Sequence, residues 1–441
     1  MRSSLPKVLH PLAGCPLLGH VLAAAHKLNP ERVVVVYGHG GEQVIEAFPG
    51  TDQEWVEQRE QLGTGHAVDH AMPLLQDVDR VLVLYGDVPL IQTDTLASLI
   101  EATGKSELAL LTASFNNPTG YGRIVRDIHG QIERIVEQKD ATPEELSIHE
   151  INTGFLVADR ARLKGWLGKL GNDNAQGEYY LTDIVSMAVT DGVDVHSVYP
   201  GDVEEVMGVN DRLQLAHLER HLQRKQADAL MRAGVTLLDP DRFDLRGRLI
   251  HGREVEIDIN VLIEGEVTLG SNVRVGANSI IRNSRIGNGV KILENCVIED
   301  ADIGAACRIG PFSRIRPGTR LAGENHVGNF VEIKKSDIAE GSKINHLSYI
   351  GDSTVGKTVN IGAGTITCNY DGANKHRTII GDNAFIGSDT QLVAPVEIGA
   401  GATIGAGSTI TSNAPPDTLT VSRSKQVSLK GWRRPQKKPK A

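Results

Sequence analysis

From about residue 250 an aliphatic side chain returns every six positions, and this period leaves the second half of the chain very few folds. The series runs Ile257, Ile263, Leu269, Val275, Ile281; Ile286, Ile292, Ile298; Ile303, Ile309, Ile315, Leu321, Val327, Ile333; Ile338, Ile344, Ile350; Val355, Ile361, and it resumes at Ile380, Ile386, Leu392, Ile398, Ile404 and Ile410. Glycine often follows, as at Gly276, Gly328 and Gly387. A helix repeats at about 3.6 residues and a half-buried strand at about two, so neither produces this pattern. A hexapeptide period predicts a parallel β-helix in which each turn stacks one inward aliphatic per face on the next. Such a core has little room inside, so chemistry belongs on outer faces, on protruding loops or between subunits. The rhythm is lost across "VNIGAGTITCNYDGANKHRTIIG", 359 to 381, and that interruption is where function is expected.

The first half reads differently. "RVVVVYG" (32 to 38), "RVLVLYGDVPL" (80 to 90), "ELALLTASF" (107 to 115) and "EINTGFLVA" (150 to 158) alternate with helical patterns. Unbroken runs of this kind suit strands covered on both faces, so a parallel sheet wrapped by helices, an α/β nucleotide-binding arrangement, is expected. Between Asn210 and Gly234 the stripe Leu215, Leu218, Leu222 and Ala229 predicts an amphipathic helix, capped near Asn210 or Asp211 and stopped at Gly234. The expected division is residues 1–212, a helical linker 213–233, and 234–441.

With 441 residues, two or three domains are expected, and a net charge of -9 gives no global pull toward nucleic acid. Lys430, Arg433, Arg434, Lys437, Lys438 and Lys440 collect at the end, as an anion-binding or a merely solubilising tail. Cys15, Cys296, Cys307 and Cys368 are too scattered for a metal pattern or a disulfide framework. No signal peptide or long apolar span is evident, so a cytoplasmic protein without integral membrane association is expected.

Asp87 falls just past a buried strand, at the edge where open α/β sheets bind ligands. A carboxylate there can hold Mg²⁺ against phosphate oxygens, although a turn-forming Asp reads the same way. "EQLGTGHA" places Gly63, Thr64 and Gly65 before a helical run, where backbone N–H groups can approach a nucleotide. "PTGYGRI" and "NAQGEYYLTD" are weak signals singly.

The order "LPKVLHPLAG", "EQLGTGHA", "LYGDVPL", "PTGYGRI", "INTGF", "NAQGEYYLTD", "GVNDR", helix, hexapeptide repeats closely resembles the bifunctional UDP-N-acetylglucosamine pyrophosphorylase/glucosamine-1-phosphate N-acetyltransferase family over essentially the whole chain. The resemblance implies a Rossmann-like α/β nucleotidyltransferase domain, a helical linker and a left-handed parallel β-helix. It implies a uridylyl-transfer site of Lys7, Gln58, Gly63, Thr64, Tyr85, Gly86, Asp87, Gly122, Glu137, Asn152 and Asn210, with Asp87 and Asn210 as Mg²⁺ ligands. In the second half it implies His346 as general base, since a neutral imidazole near pH 7 can take a proton from the attacking amine. Arg316, Lys334, Tyr349, Asn360 and Lys375 are implied on the sugar phosphate, and Ala363, Asn369, Tyr370, Ser388, Ala406 and Arg423 on acetyl-CoA. The implied partners are glucosamine 1-phosphate, acetyl-CoA and UTP, and the implied assembly is a homotrimer sharing acetyl-transfer sites.

One departure carries its own expectation. The family opens with a strand and a glycine-rich LAAGxGTRM loop, whereas this sequence starts "MRSSLPK", with Met1 on that motif's last residue. The chain as written is therefore expected to be a poor uridylyltransferase with unpaired sheet edges, or to have a longer natural product. Two other readings stay open on sequence: a pyrophosphorylase of different specificity with a regulatory β-helix, and a non-catalytic scaffold.

Overall fold

The computed structural model describes residues 1–38, 40–50, 52–104 and 107–437, in two compact units, Met1–Leu222 and Gln223–Ala441. Lys438 and Lys440 of the basic tail lie outside the described residues, and Lys430, Arg433, Arg434 and Lys437 are exposed, without helix or strand.

The second unit is a parallel β-helix built on the aliphatic series. Every aliphatic residue of the six-residue series is at most 3% exposed, and all belong to one continuous core. Down one face Ile257, Val275, Ile292, Ile309, Val327, Ile344 and Ile361 pair in parallel register, each 17 or 18 residues after the last. One coil is thus three hexapeptides, sometimes one residue short. Glycine follows the inward residue because coils approach closely there: a Cβ on Gly387 would stand 2.4 Å from the Ala406 nitrogen, and one on Gly276 2.8 Å from that of Glu294. Since each inward side chain is boxed between two coils, Ile333→Ala should leave a cavity and lower unfolding free energy by about 2–5 kcal/mol in denaturant titration.

The interruption is measured by the same register. Ile361 pairs with Ile386, a step of 25 residues, eight more than the 17 of the preceding coil (25 − 17 = 8). The rhythm also continues one beat further than the aliphatic series suggests. Thr367 takes the next inward position, fully buried, and its hydroxyl accepts from the Gly351 N–H at 2.8 Å. The extra residues follow it, between strands Ile366–Cys368 and Thr378–Ile380.

In the first unit the expected all-parallel sheet is corrected. Strand Glu150–Asp159 runs antiparallel to both Arg80–Val83 and Leu108–Ser114, and to Arg123–Arg126; among the described residues only Val195–Val198 joins this sheet in parallel, on Leu108–Ser114. The cause is the hairpin Arg123–Arg126/Ile132–Val136, which brings the chain back without a crossover helix. Val34–Tyr37 pairs in parallel with Glu54–Glu57 as a separate two-stranded sheet.

The connecting helix spans Arg212–Arg232. Asp211 caps it, accepting from the Leu213 and Gln214 N–H groups, and Gly234 turns the chain at φ +98°. Leu218 is fully buried, but Ala229 is exposed, contrary to the expected stripe. From Gln223 onward the buried positions are Gln223, Ala227 and Leu230, because the Gln223 carboxamide turns inward to bond both backbone groups of Leu245.

Candidate active sites

In the first unit the chain leaves strand Arg80–Val83 and reaches Asp87 four residues later. The Lys7 ammonium lies 2.5 Å from Asp87 Oδ2 and 3.0 Å from Asn210 Oδ1. Two hard oxygens from distant parts of the sequence therefore already share one cation, the geometry a small divalent ion needs from its protein ligands when phosphates and water supply the rest. The Asp87 carbonyl accepts from the Val209 N–H at 2.9 Å, which fixes Asn210 beside it.

Tyr85 is next to this pair. Burial first, then the charges of Glu137 and Asp87, push its phenol up to about 12, against a hydrogen bond with Thr64. Burial likewise raises the Glu137 carboxyl, while the Thr182 hydroxyl, donating at 3.0 Å, opposes the shift. Gly122 lies under that carboxylate, and its carbonyl accepts from the Asn152 N–H at 2.9 Å. Gln58 Nε2 donates to the Gly63 carbonyl at 3.1 Å. Gly63 opens helix Thr64–Ala71 at φ +116°, where a Cβ would stand 2.6 Å from the Tyr179 carbonyl oxygen; only glycine fits. All the expected residues of this site thus fall in one neighbourhood of hydrogen bonds and charges, Gly86 adjoining Asp87 in the chain.

The β-helix residues fall into two groups. His346 ends strand Lys343–His346, and by the register steps of its face Ala363, Ser388 and Ala406 follow it on successive coils. Hydrogen bonds link that column: Gly364 N–H to the His346 carbonyl, Asp389 N–H to that of Ala363, and Gly407 N–H to that of Ser388. The Arg423 guanidinium donates to the Ala406 carbonyl. His346 Nδ1 is 2.9 Å from Asn329 Oδ1, so the carboxamide oxygen accepts the Nδ1 proton and Nε2 keeps its lone pair.

The second group is cationic and stands on the adjacent face. Arg316 directly follows strand Arg314–Ile315 and Lys334 ends its neighbour Glu332–Lys334, and Arg316 Nη1 bonds Glu332 Oε1 at 2.6 Å. The Lys334 ammonium is held below its ordinary range, first by the close approach and charge of Lys375, then by loss of water and the Arg316 charge. Three cations are gathered there against their own repulsion, as an anion site requires. Tyr349 lies over Gly351, where a Cβ would meet its hydroxyl at 2.4 Å. Asn360 is on the other face, paired with Lys343 and Phe385, and is not brought beside this group.

The extruded loop is tied at its base and internally. Asn369 Nδ2 bonds Asp352 Oδ2 at 2.5 Å and reaches the Tyr349 hydroxyl at 3.5 Å. Arg377 donates to Thr354 and Asp337. Asp371 accepts from the Ala373 and Asn374 N–H groups and from His376, contacts that hold its carboxyl well below the usual range. Tyr370 bridges to Lys375 across the loop and is 60% exposed.

Residues 1–147 match the family model of the MobA-like NTP transferase domain, 245–327 that of the GMPPB C-terminal domain, and 377–412 that of the bacterial transferase hexapeptide (six repeats). A protein of Azoarcus sp. named "Bifunctional protein GlmU" is 59% identical over 99% of this chain and 97% of its own length. A protein of the same name from Methylococcus capsulatus is 58% identical over 99% and 95%, and one from Ralstonia nicotianae 58% over 100% and 97%. The chain belongs to the bifunctional GlmU family. Within this chain three partners escaped the sequence reading: Asn329 on His346, Asp352 on Asn369, and Thr182 on Glu137. Asn329 had a signal, since it lies one 17-residue coil before His346; the other two depend on loop paths that no period describes.

Proposed function

We propose that the chain makes UDP-N-acetylglucosamine in two transfers. The β-helix unit acetylates glucosamine 1-phosphate from acetyl-CoA; the N-terminal unit then joins N-acetylglucosamine 1-phosphate to UTP with release of pyrophosphate. The observation that carries this reading is the coincidence of GlmU membership over the whole chain with the column His346–Ala363–Ser388–Ala406 and the cations Arg316, Lys334 and Lys375.

In the acetyl transfer His346 Nε2 takes a proton from the sugar amine as the nitrogen attacks the thioester carbonyl, and CoA leaves as thiol. Arg316, Lys334 and Lys375 hold the sugar phosphate and offset its charge. In the uridylyl transfer the sugar phosphate oxygen attacks the α-phosphorus of UTP; Lys7 offsets charge and Tyr85, Glu137 and Asn152 position the sugar. Asp87 and Asn210 would hold Mg²⁺, which when bound neutralises charge on the phosphate oxygens. UTP and acetyl-CoA as co-substrates place the reaction in the cytoplasm, and among the described residues no helix is long and apolar enough to cross a membrane. CoA release that requires glucosamine 1-phosphate, beside pyrophosphate release that requires UTP and N-acetylglucosamine 1-phosphate, tests the two halves separately. A β-helix that frees no CoA removes the first.

Since repulsion lowers Lys334, a bound phosphate dianion should raise it again and take up a proton. The KM for glucosamine 1-phosphate is therefore expected to climb as pH rises through the lowered Lys334 value, and Lys334→Arg to flatten that climb. A KM independent of pH in both proteins removes Lys334 from the phosphate.

A homotrimer is part of the same proposal. At one corner Phe312, Phe330 and Leu347 follow each other on successive coils, 50%, 55% and 62% exposed, at φ of +55°, +56° and +49°. The two rings stack at 5.3 Å and 16°. Left-handed backbone costs a residue with a Cβ about 1–2 kcal/mol, and three bulky apolar side chains in water add to that, so a covered corner is favoured. Phe330→Asp should leave the circular dichroism unchanged and reduce the mass by light scattering from trimer to monomer. An unchanged trimer moves the interface elsewhere.

A further inference from the structure

Helix Arg212–Arg232 carries two histidines that neither transfer uses. His217 and His221 stand four residues apart, a spacing that puts both imidazoles on one helical face. The short turn Val203–Val206, capped by Asp202, brings two carboxylates up to that face. His221 Nε2 lies 2.9 Å from Asp202 Oδ2, and His217 Nε2 lies 4.0 Å from Glu204 Oε1. One ligand atom from each of Asp202, Glu204 and His221 falls within 4.8 Å of the other two. Each imidazole thus faces a carboxylate, and all four groups belong to the first compact unit.

Both the turn and the helix are anchored by neighbouring residues. In the turn, Val206 is buried, and the buried Glu205 carboxylate accepts from the Thr95 hydroxyl at 2.7 Å. On the helix, Leu218 is fully buried in the cluster of Leu12, Leu17, Leu90 and Val209, and Glu219 accepts from the Ala13 N–H at 2.6 Å. Asp202 is oriented as well, since its Oδ1 accepts from the Glu204 N–H at 3.2 Å while Oδ2 turns to His221. Nitrogen and oxygen ligands about 2.0–2.2 Å from a tetrahedral ion stand about 3.3–3.6 Å from one another. Small side-chain movements, opening the His221 pair and closing the His217 pair, therefore bring the donors to one ion.

The donor types choose that ion. Mg²⁺ wants an octahedron of oxygens and keeps its waters, whereas imidazole combined with carboxylate suits Zn²⁺. Two carboxylates also balance its double charge. Asp202, Glu204 and His221 are half-buried and His217 is exposed, which leaves the ion an entry path.

We propose that Asp202, Glu204, His217 and His221 form a site for one Zn²⁺ that clasps the turn to the connecting helix. It shares no residue with the Asp87 and Asn210 pair. The stretch between its two halves, residues 205–216, includes Asn210, so a bound Zn²⁺ holds both ends of the segment on which that residue stands.

The metal-stripped full chain is to be titrated with Zn²⁺ against a chromophoric chelator, and with Co²⁺, whose visible bands report four-coordination. The chain has 15 histidines, so variants must locate the ion. One Zn²⁺ per chain is expected, and His221→Ala should weaken it by more than the about 10–100-fold that loss of an outer-shell partner costs. His217→Ala should weaken it as well. Asp202→Asn retains an oxygen for the Glu204 N–H, so circular dichroism should not change while Zn²⁺ binding falls about tenfold or more. Asp87→Asn should leave the affinity as it was. An affinity untouched in His221→Ala, His217→Ala or Asp202→Asn, a loss in Asp87→Asn, or a Co²⁺ spectrum that remains that of the hydrated ion would overturn the proposal.

Discussion

His346→Ala is expected to cut CoA release with glucosamine 1-phosphate by about 10²–10⁴-fold in kcat, the usual contribution of a positioned general base. Pyrophosphate release should not change, because the other chemistry belongs to the other compact unit. The expectation rests on the tautomer. With Nδ1–H donated to Asn329 at 2.9 Å, the lone pair is on Nε2, and the ring stands at the head of the column running through Ala363, Ser388 and Ala406. Asn329→Ala should then cost less than His346→Ala, since the base survives and only its orientation is lost. Asn329→Asp should act differently. A carboxylate beside Nδ1 favours the imidazolium, so the free base appears only at higher pH and the rising limb of the kcat profile moves alkaline. Activity of His346→Ala within about threefold of the unsubstituted chain would falsify the base assignment, and an unmoved limb in Asn329→Asp would remove Asn329 from it.

The β-helix was legible because its packing rule is local: every six residues one side chain must be small enough, and apolar enough, to stack on the coil below. The reading missed Thr367 because a hydroxyl bonded to Gly351 can occupy the same slot, and a series restricted to aliphatics cannot see it. The first unit was less legible. "EINTGFLVA" looks like any other buried strand, and its antiparallel course is set by the hairpin before it rather than by its own residues. Ala229 failed for a related reason: a buried Gln223 with two backbone bonds rotates the covered face, and polar burial is invisible to an apolar stripe. For the sites, the resemblance supplied residues that the geometry then gathered, Lys7 onto Asp87 and Asn210, and Lys334 beside Lys375. It could not supply Thr182 or Asp352, whose roles lie in holding other side chains. Asn360 stands on a different face from Arg316 and Lys334, so the resemblance grouped residues that one chain keeps apart.

Asp87→Asn should lower pyrophosphate release by about 10²–10³-fold relative to the unsubstituted chain, the loss typical when one group stabilising transition-state charge is removed, and leave CoA release unchanged. A separate readout needs no turnover. An ion that binds only the folded unit stabilises it by about 2.7 kcal/mol at a hundred times its dissociation constant, so Mg²⁺ should raise the unfolding temperature of the first unit, and Asp87→Asn should abolish that rise. Lys7 supplies the contrast. Its ammonium holds the same two oxygens, so in the absence of substrate it competes for the position that the ion would take. Lys7→Ala is therefore expected to keep the Mg²⁺-dependent stabilisation, reached at lower Mg²⁺, while losing uridylyl transfer for want of the charge on the phosphates. If Lys7→Ala abolishes the stabilisation as Asp87→Asn does, the ion is not held by Asp87 and Asn210, and the pair is instead a structural clasp between Lys7 and the end of strand Arg80–Val83.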